Sequence, residues 1–173
     1  MPRQARVIVL GFSMISIVYS ARSYAITVPL PRLYSFRRCP YAMRARLGIL
    51  FAGLTVELRE IVLKNKPAQM LAVSPKGTVP VLELAGGDRS ERLVIEESRE
   101  IVEWALRQSD PKGLLNTDLV SANALIDRND NEFKHWLDRY KYADRHPELS
   151  QLDYQQKGEV FLQALESLLA KNR

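Results

Sequence analysis

The chain has 173 residues, enough to bury a substantial core in one domain or a domain and a half. Its 46% apolar and 26% charged residues are those of an ordinary globular protein, and its single cysteine excludes an internal disulfide. The net charge of +5 does not indicate a nucleic-acid surface, because Arg3, Arg6, Arg22 and Arg32 lie in a stretch without acidic residues and the rest is close to neutral. The leader, from Met1 to about Pro31, carries the apolar run VIVLGFSMISIV followed by SARSYA. Arg3 and Arg6 before a short apolar core, with small residues after it, suit a secretory signal. Ser and Arg without acids suit an organelle transit peptide equally, and an upstream extension outside the domain is the third reading. The run is short for a bilayer span.

From Leu33 the pattern alternates. RLYSF is a strand candidate, and CPYAMRARLGILFAG follows as a helix with Met43, Leu47, Leu50 and Phe51 at helical spacing and Gly53 in the stop position. TVELREIVL is the next strand, with Val56 and Leu58 alternating against Glu57 and Arg59. KPAQMLAV is a short helix opened by Pro67, SPKG a turn, and TVPVLEL a strand containing a proline. AGGDRSE reads as a hairpin loop, RLVI as the returning strand, and ESREIVEWALRQ as a helix with Ile101, Val102, Ala105 and Leu106 on one side. The order β-α-β-α-β-β-α predicts that the first two strands are parallel with a right-handed crossover and the last two antiparallel. SDPKGLLNTD breaks the periodicity as a linker, and helical patterns follow from about Leu119 to Tyr142 and from about Leu152 to Ala170.

Four places could carry chemistry. Cys39 stands directly before Pro40 at a helix start, where free N–H groups and the helix dipole favour a thiolate and Arg37 and Arg38 add positive field. A small hydrophobe at a helix boundary is the alternative. Pro80 lies within a predicted strand, which suits either a cis Val79–Pro80 bond, turning the Val79 amide and carbonyl toward an extended ligand, or a trans proline on an edge. Glu97 and Ser98 meet a helix N-terminus, either as a carboxylate-binding site or as that helix's own cap. Lys66, before Pro67, could hold an anion or be a solvated lysine. Gly86-Gly87 lacks the Lys and Ser/Thr of a phosphate loop, and His135 and His146 lack zinc-ligand spacing with the single cysteine. Phe133, Trp136, Leu137 and Tyr140 have the spacing of a helix core.

Together these pieces resemble the glutathione transferase superfamily, on its cysteine-bearing, omega-like branch akin to glutaredoxin. The likeness runs from about Leu33 to Leu115 and is carried by CPYAMRARL, LKNKP, SPKGTVPVL and EES in family order and spacing. It implies an α/β fold: a thioredoxin-like βαβ-ββα N-terminal domain over 32–108, after a leader or extension over 1–31. A linker over 109–118 and an all-α domain over 119–173, cut short relative to the family, complete the expected organisation.

The resemblance implies that Cys39 is the catalytic thiol and glutathione the cosubstrate. Glu97 and Ser98 would hold its γ-glutamyl carboxylate and amine, the Val79 backbone before cis Pro80 its cysteinyl moiety, and Lys66 its glycyl carboxylate. No metal is implied. With Ala42 where glutaredoxins often carry a second cysteine, the expected activity is monothiol disulfide reduction and deglutathionylation, a thiol transferase. The implied partners are a small-molecule or disulfide acceptor and a homodimer mate, with neither nucleic acid nor a membrane span. A cytoplasmic location is expected, or export or organelle targeting if residues 1–25 are a true leader. Conjugation of glutathione to electrophiles is the alternative activity, and a non-catalytic glutathione-binding module the alternative class, because family members continue through more helices. Two helices against one small sheet domain are also expected to leave apolar groups exposed among Leu125, Ile126, Phe133, Trp136, Leu137, Tyr140, Phe161, Leu165, Leu168 and Leu169.

Overall fold

The computed structural model describes residues 29–84 and 93–171. The expected leader up to residue 28 and the hairpin loop over 85–91, with its Gly86-Gly87 turn, lie outside the described residues. The elements run β1 (Arg32–Ser35), α1 (Pro40–Phe51), β2 (Glu57–Glu60), α2 (Ala68–Val73), β3 (Val81–Leu84), β4 (Leu93–Ile95) and α3 (Ser98–Gln108). This is the predicted order. The sheet order is β2-β1-β3-β4, with β1 parallel to β2, β1 antiparallel to β3 and β3 antiparallel to β4.

Alternation along the central strands divides the core between the two faces of the sheet. Leu33 and Leu82 join Ala45, Ile49, Ala52, Ile101, Ala105 and Leu106 beneath α1 and α3. Tyr34 and Val81, one residue away on the same strands, join Ile61 and Met70 on the α2 side. Arg32 bridges the strands on either side, Nε reaching Glu57 Oε2 at 2.7 Å and Nη1 reaching Glu83 Oε2 at 3.2 Å.

Three expectations are corrected here. The apolar stripe of α1 faces outward: Met43, Leu47, Leu50 and Phe51 are all exposed, while Ala42, Ala45, Gly48 and Ile49 are buried. The cause is close helix packing. A Cβ on Gly48 would lie 2.7 Å from Val102 Cγ2 and 3.0 Å from Val102 Cα, so α1 can approach α3 this closely only through its small residues. The strand TVPVLEL is shorter than predicted, because β3 begins at Val81 and Pro80 sits just ahead of it, where it removes no ladder bond. β2 is likewise confined to Glu57–Glu60 at the sheet edge; Val56 packs on the α1/α3 core, but Leu58 is half exposed.

The helix predicted from Leu119 to Tyr142 is one continuous helical run, α4 (Leu119–Arg128) passing through a π-helical turn (Asn129–Phe133) into α5 (Lys134–Lys141). Asp118 caps α4, its Oδ1 accepting from the amides of Val120 at 3.1 Å and Ser121 at 3.2 Å. The last helix, α6 (Gln151–Lys171), packs along α5. Phe133 meets Phe161 with ring centroids 5.5 Å apart, and Trp136 stacks on Tyr154 at 6.4 Å. Gly158 is buried at this crossing, beneath the Phe133 ring. Of the apolar residues expected to be left exposed, Phe161 is buried, Tyr140, Leu168 and Leu169 are exposed, and the others are half-buried. Val120, Leu152, Val160 and Leu162 add to the exposed apolar surface of the helical part. No helix among the described residues is long and apolar enough to cross a membrane.

Candidate functional site

Cys39 occupies the N-cap of α1 with extended backbone (φ −76°, ψ 120°), and Pro40 takes the first helical position. Its carbonyl accepts the first helical bond from Met43 N at 2.9 Å, and its own amide donates to Phe36 O at 3.0 Å. Pro40 lacks an N–H that would have had no partner, and the amides of Tyr41 and Ala42 remain free to face an anion at the helix end. The loop presenting the thiol is tied down from α1: Arg46 donates to Ser35 Oγ at 2.5 Å and to Arg37 O at 3.0 Å. Arg37 and Arg38 flank it, both exposed. The half-buried thiol donates to Val79 O at 3.6 Å, and the Val79–Pro80 bond is cis, as one of the two sequence readings expects. Cys39 and the bend before β3 are therefore in contact across the end of the sheet.

That bend is anchored to the start of α3. Ser74 donates to Glu96 Oε1 at 2.5 Å, and Lys76 pairs with Glu97, which holds the Lys76 ammonium above its usual range. Gly77 turns the chain with φ +64°, a backbone conformation that suits glycine. A Cβ there would lie 3.5 Å from Lys66 Nζ, so Lys66 lies over the turn leading to Val79. Glu97 is the N-cap of α3 but its side chain makes no cap bond and faces solvent.

Ser98 is the first residue of α3 and is almost wholly buried, so the reading of Ser98 as the cap of its own helix does not hold. Its hydroxyl accepts from Arg44 Nη1 at 3.3 Å. The same guanidinium forks onto Asp130 of the π turn, Nη1 to Oδ2 at 2.9 Å and Nη2 to Oδ1 at 2.5 Å. This pairing raises Arg44 above its ordinary range despite partial burial, and holds the Asp130 carboxyl below the usual carboxylate range. A second link between the sheet domain and the helices runs from Arg99 to Asp127 at 2.5 Å and Asn123 at 3.0 Å.

Beside Cys39, a cleft of about 470 Å³ begins at Pro40 and Tyr41 and follows the outer face of α1. Met43, Leu47 and Phe51 form one wall, Val102, Leu106 and Leu114 the floor, and Asn129, Asp130 and Lys134 the far side. The outward stripe of α1 thus lines a cleft instead of a core.

A family model for the glutathione S-transferase N-terminal domain matches residues 33–113. A probable glutathione transferase of Aplysia californica is 38% identical over 90 residues, covering 52% of this chain and 92% of that protein. The chain belongs to the glutathione S-transferase family. It is also similar to omega-class members: glutathione S-transferase omega-1 of Sus scrofa is 43% identical over 58 residues, 34% of this chain and 24% of that protein. Among solved structures, glutathione transferase Omega 2C of Trametes versicolor superposes with a TM-score of 0.65 at 24% identity, over 77% of this chain and 62% of that one. The chain therefore spans under two thirds of that omega structure and about a quarter of the pig protein's length.

Within this transferase fold, Cys39 contacts Val79 at the cis Pro80 bend, and Lys66 lies over the adjoining turn. Ser98 is joined to α1 through Arg44, while Glu97 reaches outward to Lys76. Sequence reasoning missed Arg44 and Asp130, which stand 86 positions apart. The one local trace is that Arg44 interrupts the apolar pattern of CPYAMRARL; nothing in the sequence names its partner.

Proposed function

We propose that this glutathione transferase family member is a glutathione-dependent thiol transferase whose nucleophile is Cys39. The observation that carries the reading is the contact of the Cys39 thiol with the Val79 carbonyl at the cis Pro80 bend, 3.6 Å away. An extended peptide laid along that bend pairs with the Val79 backbone and brings its own sulfur to the thiol. Glutathione has that shape, and its two carboxylates suit Lys66 over the turn and Ser98 at the α3 N-terminus.

In the reaction, the Cys39 thiolate attacks the glutathione sulfur of a mixed disulfide. The S–S bond breaks, the acceptor leaves as a thiol with a proton from solvent, and Cys39 is left bonded to glutathione. The thiolate of a second glutathione attacks the glutathione sulfur of this adduct, releasing oxidised glutathione and restoring Cys39. Each turnover consumes one glutathione thiol, which leaves joined to the glutathionyl group of the substrate as oxidised glutathione. Because the chain has one cysteine, no internal thiol can resolve the adduct.

A second reading rests on the cleft beginning at Pro40 and Tyr41. Its apolar walls suit an apolar electrophile delivered to a glutathione thiolate stabilised beside Cys39, with conjugation as the outcome. Reduction of a small glutathione mixed disulfide, coupled to regeneration of glutathione, tests the first reading. Turnover that requires Cys39 supports it. Conjugation of an aromatic electrophile without disulfide reduction favours the second, and glutathione binding without either turnover favours a binding module.

A further inference from the structure

We propose that Arg44 is a positioning residue for glutathione, setting the Ser98 hydroxyl as a donor toward the ligand's carboxylate. The inference rests on the thiol transferase reading and deepens its description of the binding site. A serine hydroxyl has one hydrogen to give and two lone pairs to receive. At Ser98 a lone pair is taken by Arg44 Nη1 at 3.3 Å, and among the described residues no acceptor takes its hydrogen. The residue is only 5% exposed, so few orientations are open to its hydroxyl. With a cation on its oxygen, the hydroxyl can present only its hydrogen to an incoming anion, and the anion meets the free amides of the α3 N-terminus at the same place.

The guanidinium can do this because its plane is fixed from elsewhere. Nη1 carries two hydrogens, one serving Asp130 Oδ2 at 2.9 Å and the other Ser98, while Nη2 meets Asp130 Oδ1 at 2.5 Å. Asp130 lies on the π turn between α4 and α5, so the helical part of the chain holds the fork that faces the sheet domain's ligand site. A lysine at position 44 would keep the positive charge but lose the planar fork that serves both partners at once.

The test is a double-mutant cycle read by calorimetric affinity for glutathione, on the full chain. Ser98→Ala should weaken binding roughly tenfold to a hundredfold, the scale of one charge-assisted hydrogen bond. Arg44→Lys should weaken it by at least about threefold, and the double variant should bind no worse than Ser98→Ala alone. Asp130→Asn, which leaves Arg44 without its anionic anchor, supplies a second arm should Arg44→Lys melt too early to titrate. Its loss should likewise vanish in the Ser98→Ala background. Arg44→Lys binding as the unaltered protein does, or losses that multiply across the two sites, would overturn the proposal, since a clamp that only joins the two parts of the chain acts independently of Ser98. If the unaltered protein itself fails to bind glutathione, the thiol transferase reading falls and carries this inference with it; intact binding with an indifferent Arg44 sinks this inference alone.

Discussion

Gly48→Ala pits two effects of known sign against each other. In a helix interior, alanine is favoured over glycine by about 1 kcal/mol, so propensity alone predicts a more stable protein. The structure adds an opposing effect. The new methyl would sit 2.7 Å from Val102 Cγ2 and 3.0 Å from Val102 Cα, against roughly 3.5–4.0 Å for a comfortable carbon contact. Val102 is β-branched and stiff at χ1, and the second contact is backbone, so neither atom yields cheaply. α1 would have to withdraw from α3 by about 1 Å at its closest approach, an overpacking strain of about 1–3 kcal/mol. The net expectation is a destabilisation of about 1 kcal/mol, measured as a lower urea midpoint at unchanged slope. Val102→Ala should recover part of the loss in the Gly48→Ala background, because it removes the 2.7 Å contact and leaves the 3.0 Å one. An increase in stability of about 1 kcal/mol for Gly48→Ala would refute the packing argument and leave propensity as the only effect.

Cys39→Ser should abolish glutathione-dependent disulfide reduction with no change in far-UV circular dichroism, since a hydroxyl cannot form the mixed disulfide; retained turnover would remove Cys39 from the mechanism. Ile49→Ala should cost about 2–5 kcal/mol, whereas Leu50→Ala, on the exposed side of α1, should change stability by no more than about 0.5 kcal/mol. Equal losses at the two positions would mean that α1 is rotated from the orientation described. Asp130 gives a pH prediction. Its carboxyl titrates lower in the folded chain than the value of about 3.9 expected when unfolded. The stabilisation it contributes is therefore complete above the unfolded value and is lost as pH falls through the folded one. Acid unfolding curves of the unaltered protein and Asp130→Asn should converge through that interval, and curves that stay parallel would deny the linkage.

Much of the sheet domain is legible from the sequence because its boundaries are set by local chemistry. Pro40 at a first helical position, Gly53 after the last turn of α1 and Gly77 with positive φ each mark a boundary where only a few residue types fit. Period-two alternation and the length of each connection then decide which strands run parallel. The juxtaposition of the candidate residues Cys39, Val79 and Pro80, which lie beside such boundaries, is legible for the same reason. The buried face of α1 is not, because PYAMRARLGILF carries apolar residues nearly all round its circumference. Periodicity selects the large ones, but the distance between α1 and α3 selects the small ones, and that distance is a property of two helices together. The Arg44–Asp130 pair fails for a related reason: each residue is ordinary in its own segment, and only a π turn in what reads as one continuous helix brings them together.

These features meet on a single helix. α1 carries Cys39 at its N-cap, Arg44 about 7.5 Å further along the axis and Gly48 about 6 Å beyond that, at 1.5 Å per residue. Gly48 sets how closely α1 lies on α3, and so sets the gap that Arg44 spans to reach Ser98 at the start of α3. The outward side chains at Met43, Leu47 and Phe51 are then free to line the cleft that opens beside Pro40. A displacement of α1 by about 1 Å, the scale of the Gly48→Ala clash, would take the 3.3 Å Arg44–Ser98 contact beyond hydrogen-bonding range. Packing at Gly48 and the recognition proposed at Ser98 in this way depend on one interhelical distance, and on that proposal Gly48→Ala should weaken glutathione binding in the same direction as Arg44→Lys.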